Sequence, residues 1–286
     1  MNKKPAFSVQ TVTVKMLIWF ALLLFLIFAL FPYYWMFVTA LKPRGEIFQS
    51  PPTLFPSTFV WTNLTIPWRQ FPVAQYFANS LFITAWTVVL DVLVGALAAY
   101  GMIRRRLRGA KLIIFFLLFT QLLPGAVTIA PFYFWMKNLG MLNTYTGLIL
   151  SYVAWTLPFT ILLLRAYFLE AFPQELEDAA RIDGSGRLRT FISVLLPISV
   201  PGLVAAAAFS FILAWKEFLW ASIMITTGAR KPISVGLRDL IGEGGGVQYM
   251  SEFMAIAIAT TIPAFLFFFI VQRYIASGLT AGAVKG

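Results

Sequence analysis

Residues 174–197 read QELEDAARIDGSGRLRTFISVLLP. The stretch carries Glu175, Glu177, Asp178, Arg181, Asp183, Arg187 and Arg189, with hydrophobic segments on both sides. It therefore belongs in water at one face of a membrane. Its first part reads as a short helix. Glu175, Glu177 and Asp178 fill the opening turns, where the positive end of the helix dipole favours carboxylates. Leu176, Ala179 and Ala180 fall at i, i+3 and i+4 and share one face. Gly184 and Gly186 tolerate the left-handed backbone with which helices end. The expectation is a helix of about 10 residues, about 15 Å long, whose apolar face is mostly alanine. Small side chains of that kind suit insertion into a groove on another protein. The same pattern also fits an ordinary amphipathic surface helix.

Composition sets the solvent. The 286 residues are 60% hydrophobic and 12% charged, far from a soluble average, so lipid must cover much of the surface. Cysteine is absent, which excludes disulfides and thiol catalysis. Histidine is absent too, removing the commonest general base and metal ligand. No catalytic set and no metal-binding set is legible. The net charge of +11 could signal nucleic acid, but its placement follows membrane topology instead.

Six segments reach the ~20 residues a bilayer requires: Met16–Ala40, Phe77–Met102, Leu112–Met136, Thr146–Phe168, Ile198–Ile225 and Phe253–Ser277. Lipid leaves isolated backbone groups no partner outside a helix, so each should be helical. The expected fold is an all-α integral membrane protein with six transmembrane helices over residues 16–277. Met16–Ala40 is far longer than the apolar core of a signal peptide and should stay in the membrane. With the N-terminus inside, the inner segments hold fourteen Lys and Arg and the outer segments seven. Arg104, Arg105, Arg106, Arg108 and Lys111 contribute most, because they share one short loop. The positive-inside rule then makes both termini cytoplasmic, together with residues 1–15, the loop 170–197 and the tail 278–286. The outer loops are 41–76 and 226–252. The first is rich in proline and reads as a semi-rigid, extended cap. The second includes Gly242, Gly244, Gly245 and Gly246. No G-x-x-x-x-G-K-[ST] stretch occurs anywhere, so the chain does not bind ATP in that way.

Asp178-Ala179-Ala180, Asp183-Gly184 and Leu196-Pro197 together resemble the EAA motif of the membrane subunits of binding-protein-dependent ABC importers. Arg181-Ile182-Asp183-Gly184 is most similar to the carbohydrate-uptake branch, the maltose and glycerol-phosphate type permeases. Asp178 stands where glutamate is commoner, which keeps the charge and shortens the reach. Gln121-Leu122-Leu123-Pro124, Leu139-Gly140-Met141-Leu142-Asn143-Thr144 and Leu157-Pro158-Phe159 resemble further blocks of the family, and the resemblance runs from the first span to the tail. It implies a type I ABC importer fold in a prokaryotic inner membrane. It also implies a second, non-identical six-span permease, two ATPase subunits that bind ATP and magnesium, and an extracytoplasmic solute-binding protein. Glu177, Asp178, Ala179, Ala180, Asp183, Gly184, Leu196 and Pro197 would couple to the ATPase. The loop of Gly242, Gly244, Gly245 and Gly246 would be flexible and face the binding protein. The tail, which alone reads as small, polar and extended, would lie near the ATPase pair.

Asp91, Lys216 and Glu217 are ionisable residues inside expected spans. Burying such a charge costs about 2.5–3.5 kcal/mol even on a lenient scale, so each should face a pathway, a partner or another charge. The family usually shows Trp-Asn-Glu-Phe where this chain has Trp215-Lys216-Glu217-Phe218. Lys216 therefore lines the cavity and favours an anionic or strongly hydrogen-bonding solute, or snorkels to the outer interface, or pairs with an acid on the partner subunit. Asp91, Gln121, Lys216 and Glu217 are the candidate pathway residues. Nine tryptophans could stack on sugar rings, though tryptophan also anchors at membrane interfaces. The rival class is an ion-coupled secondary carrier or channel for small polar solutes; the inverted repeats and paired broken helices such proteins often carry are not evident.

Overall fold

Four helices are long and apolar enough to cross a membrane in the computed structural model, which describes residues 9–104, 109–242 and 246–283. They are α1 (Val9–Leu41), α2 (Val73–Arg104), α5 (Tyr145–Ala171) and α11 (Met250–Ala283). Two bent helix pairs pass the same length and apolarity test when each is taken as one span. The first joins α3 (Ala110–Leu122) to α4 (Gly125–Asn138) at 103°, and the second joins α7 (Arg187–Ile198) to α8 (Val200–Lys216) at 80°. Between them lies α6 (Gln174–Ile182), and after α8 come α9 (Leu219–Met224) and α10 (Ile233–Gly242). Counting each bent pair once gives the six expected spans. No strand occurs among the described residues.

The bends follow from proline. Leu123 is extended because Pro124 disfavours a helical residue before it, and Pro124 then opens α4. The expected third span is therefore broken. The expected fifth span, Ile198–Ile225, is broken twice: at Ser199, just before Pro201, and again at Glu217, whose backbone is extended. Pro131 and Pro158 sit inside continuous helices. The tail departs from its extended reading, since α11 stays helical through Ala283. Part of the outer segment 226–252 is likewise helical rather than loop, as α10.

The chain divides into two compact units, Met1–Phe71 with Leu240–Ala259, and Pro72–Asp239 with Thr260–Gly286. In the first, α1 is apolar on every side and exposed along most of its length, as suits a helix solvated by lipid or by another chain. Its outer loop is folded by polar groups rather than merely stiffened by proline. Glu46, 5% exposed, accepts hydrogen bonds from Thr53 Oγ1 (2.5 Å), Ser57 N (3.0 Å) and Ser57 Oγ (2.8 Å). Lys42 Nζ donates to the Thr53 carbonyl (2.5 Å), and Asn63 Nδ2 donates to the Ala40 and Lys42 carbonyls. The bonds from Thr53 and Ser57 hold the Glu46 carboxyl below the ordinary range. A lowered folded-state value means the stabilisation is complete above the unfolded value, about 4.3, and is lost as the pH falls through the folded one. Limited proteolysis between Pro43 and Trp61 should accelerate below about pH 4 in the parent. Glu46→Gln should be cleaved faster at neutral pH and show little acid dependence.

In the second unit, α2 packs most extensively against α5, and α8 lies against both. Two apolar clusters result. One gathers Ile83, Leu148, Tyr152, Ala214, Trp220 and Met224. The other gathers Ala96, Ala99, Leu164, Phe168, Phe172, Phe191 and Leu195. Close helix approach depends on Gly95 and on small residues such as Ala96 and Ala99, the usual means of association where no hydrophobic force acts between helices.

Candidate functional site

The charged stretch folds as α6, nine residues long, with Glu175 and Glu177 in its first turn and Arg181 in its last. Its end is a Schellman motif. Gly184 takes φ +76°, Ser185 N donates to the Ala180 carbonyl (2.9 Å) and Gly184 N to the Arg181 carbonyl (3.0 Å). Gly186 does not share that role: its φ is −70°, and it leads into α7. Thr190 Oγ1 donates to the Gly186 carbonyl (3.1 Å), and Phe191–Leu195 then wind as a π-helical turn, a form frequent at functional sites. Leu196 and Pro197 close α7 beyond that turn.

The alanine face divides. Ala180 and Glu177 turn inward and are buried, whereas Leu176, Ala179 and Ile182 recur every three residues and are exposed. Ile182 is 87% exposed. Asp178, Asp183 and Gly184 border this outer strip and are exposed as well. These three side chains leave an apolar strip open on an otherwise charged helix.

Beneath it, Glu177 is enclosed. Its side chain is 8% exposed and lies between Arg181 Nη2 on Oε1 (2.9 Å) and Arg104 Nε on Oε2 (3.1 Å). Arg104 ends α2, donates from Nη2 to the Phe172 carbonyl and stacks its guanidinium over the Phe172 ring at 4.3 Å. Nearby, Tyr100 of α2 meets the ring of Phe191 at 5.2 Å, and its hydroxyl faces the Arg187 carbonyl at 3.5 Å.

The four pathway candidates are scattered. Asp91 is fully buried between α2 and α5, accepting from Thr160 Oγ1 at 2.7 Å. The hydroxyls of Thr156 and Ser210 stand near the same carboxyl, but Asp91 Oδ1 and Ser210 Oγ complete no hydrogen bond of normal geometry. Gln121 and Lys216 are exposed. Glu217 sits at the break between α8 and α9, where its carboxylate accepts from Trp220 N (2.8 Å), Ala221 N (3.0 Å) and Tyr152 Oη (2.9 Å). It thus satisfies the open backbone donors of α9. A cavity of about 160 Å³ beside it is walled by Tyr152, Trp155 and Trp220. No hydrogen bond or ion pair joins any two of these four among the described residues. Gly242 ends α10 and Gly246 begins a 3-10 turn; Gly244 and Gly245 lie outside the described residues, as do Arg105, Arg106, Arg108 and Lys285.

Residues 91–281 match the family of binding-protein-dependent transport system inner membrane components. The chain belongs to this family. It is therefore a multi-pass membrane component of a transport system, a permease and not a catalyst, and the ion-coupled carrier or channel is not favoured. Family membership also covers α6, which lies well inside the matched segment. Among relatives, the chain is 34% identical over 279 residues to the trehalose/maltose transport system permease protein MalG of Thermococcus litoralis, covering 97% of this chain and 99% of that one. It is 35% identical over 259 residues to the trehalose transport system permease protein SugB of Mycobacterium tuberculosis, covering 91% and 93%. The fold matches a chain in the crystal structure of a bacterial ABC transporter involved in the import of the acidic polysaccharide alginate. That match has a TM-score of 0.80 at 23% identity, over 95% of this chain and 100% of that one. The permease thus has the type I ABC importer fold.

Sequence reasoning about the permease missed Arg104, Tyr100, Phe172 and Tyr152. Arg104 entered only as one positive charge in an inner loop. A signal was present, however: an arginine at the end of one span and a carboxylate in the first turn of the charged helix are complementary charges.

Proposed function

We propose that this permease forms half of the translocation pathway of an ATP-driven importer for a carbohydrate or related small solute. An extracytoplasmic binding protein delivers the solute, and two ATPase subunits beneath the membrane drive the cycle. The second half of the pathway is another six-span permease. Both termini and α6 lie in the cytoplasm of a prokaryotic cell, consistent with the excess of inner Lys and Arg. The observation that carries this reading is the exposed strip of Leu176, Ala179 and Ile182 on α6, set over an anchored Glu177. The named relatives are permeases for trehalose and maltose, which supports the solute class.

The mechanism is alternating access. Closure of the ATPase pair displaces α6 with its groove, and the helices rock between inward-open and outward-open states. Asp178, Ala179, Asp183 and Gly184 carry force and no chemistry. Leu196 and Pro197 pass it through the π turn to α8. ATP and magnesium belong to the ATPase subunits. On the outer side, the segment of Gly242, Gly244, Gly245 and Gly246 receives the binding protein. Glu217 and the aromatic walls beside it offer flat faces suited to a sugar ring, while Asp91, Gln121 and Lys216 stay within the pathway assignment. Affinity purification should bring down an ATPase and a second six-span protein; solute uptake by this chain without any ATPase would contradict the reading.

Gly184 offers a finer check. A side chain at φ +76° is strained even in open space, at about 1–2 kcal/mol, and more for a branched one. Nothing lies within 4 Å of a Cβ there, so Gly184→Val should leave the helical bundle stable. It should misplace the end of α6 and lower solute transported per ATP. Transport at the parent ratio would count against a coupling role for this turn.

A further inference from the structure

We infer that Arg104 is a positioning residue for energy coupling, gripping both sides of the hinge between α5 and α6 and binding them to the end of α2. The inference rests on the reading that α6 docks an ATPase. Between Ala171 and Gln174 the backbone leaves the helix, with Phe172 at φ −131°, ψ 76° and Pro173 extended at φ −62°, ψ 161°. Such a two-residue link is soft. A force applied to α6 would bend it there and pass little to α5. Arg104 closes this gap from a third helix. Its Nη2 binds the carbonyl of Phe172 on the α5 side, and its guanidinium covers the Phe172 ring. Its Nε stands in ion-pair contact with Glu177 Oε2 on the α6 side at 3.1 Å, without completing a hydrogen bond of normal geometry.

The geometry suits transmission. The Arg104 and Glu177 side chains are 14% and 8% exposed, so salt screens the pair far less than a surface pair. Arg181 occupies the other Glu177 oxygen one helical turn along, which fixes the carboxylate plane. Arginine suits the place because its planar guanidinium stacks on a ring and donates to a carbonyl while its charge stands beside a carboxylate; lysine is a point charge on a flexible stem. The same end of α2 is held on its other flank by Tyr100 against Phe191 and Arg187. Displacement of α6 is therefore delivered to α2, the helix that carries Asp91 at its centre, as well as to α5.

The test uses the complete transporter in lipid nanodiscs. Because the chain has no cysteine, spin labels can be placed at Glu175→Cys on α6 and Leu97→Cys on α2, both exposed. With Arg104 present, the distance between them should be narrow and the same with and without a non-hydrolysable ATP analogue, since the two helices move together. In Arg104→Gln the distribution should broaden and its mean should shift with the analogue. Stimulation of ATP hydrolysis by the binding protein should fall about fivefold or more, the lower range of coupling between sites. Arg104→Lys keeps the charge without the planar fork and should show the same broadening and the same loss of stimulation, which a simple loss of charge would not predict. Arg104→Gln that assembles and keeps parental distances and stimulation would overturn the inference alone. A parent complex lacking any ATPase would overturn the underlying reading, and the inference with it.

Discussion

Glu217→Ala should unfold the region around α9 before it changes any solute preference. The carboxylate accepts three hydrogen bonds, from Trp220 N, Ala221 N and Tyr152 Oη, and alanine leaves all three donors without it. Each buried donor left unpaired costs about 1–3 kcal/mol, so the total is on the order of 3–5 kcal/mol after local relaxation. The Glu217 carbonyl also accepts from Ser234 Oγ at 2.6 Å, which ties the same break to α10. Glu217→Gln keeps one accepting oxygen and should fall between. The measurement is the temperature at which the detergent-purified assembly loses its monodisperse peak. A clear drop for alanine and a smaller one for glutamine is expected; unchanged stability of Glu217→Ala would show that the break is held by other means.

Gly95→Leu is the second large effect. A Cβ at Gly95 would lie 2.7 Å from Thr160 Cγ2 and 3.5 Å from Leu164 Cδ1. Thr160 is fully buried, and its hydroxyl is committed to Asp91 at 2.7 Å. Turning Thr160 aside to relieve the clash would strip Asp91 of its hydrogen bond inside the membrane. Overpacking costs about 1–3 kcal/mol, and a buried carboxyl left without its hydrogen bond about 1–3 kcal/mol more. The α2–α5 contact should therefore open, with low folded yield. Gly101→Ala on the same helix meets nothing within 4 Å and should gain about 0.5–1 kcal/mol in helix preference. Equal stability of the two variants would contradict tight packing at Gly95.

The contrast between Gly95 and Gly101 shows what a sequence can reveal. Both are glycines in an apolar span, and only the neighbouring helix distinguishes them. Hydropathy located the four single spanning helices and the segments of both bent pairs, because length and apolar composition are local properties. The Asp183-Gly184 ending of α6 was likewise legible, since a left-handed helix end favours glycine whatever surrounds it. Gly186 looked equivalent and is not, because its conformation is set by the start of α7. The break at Glu217 was hidden for a related reason: glutamate near the end of an apolar run reads as a charge facing a pathway. Its three donors come from residues three and four places on and from Tyr152 on another helix. The same limit hid the Arg104 contact, whose partners Phe172 and Glu177 lie far along the chain. In the first outer loop the prolines were visible, but not that Glu46 gathers Thr53 and Ser57 around a buried carboxylate.

In the assembled importer an ATPase should cover the exposed strip of α6. Single cysteines at Ala179 and Ile182, which are exposed, and at Ala180, which is buried, can be treated with a short bifunctional crosslinker in the assembled membrane system. Adducts from Ala179→Cys and Ile182→Cys should carry the ATPase and change in yield with bound nucleotide, while Ala180→Cys should give none. Adducts from the two exposed positions that never contain a nucleotide-hydrolysing subunit would contradict the account.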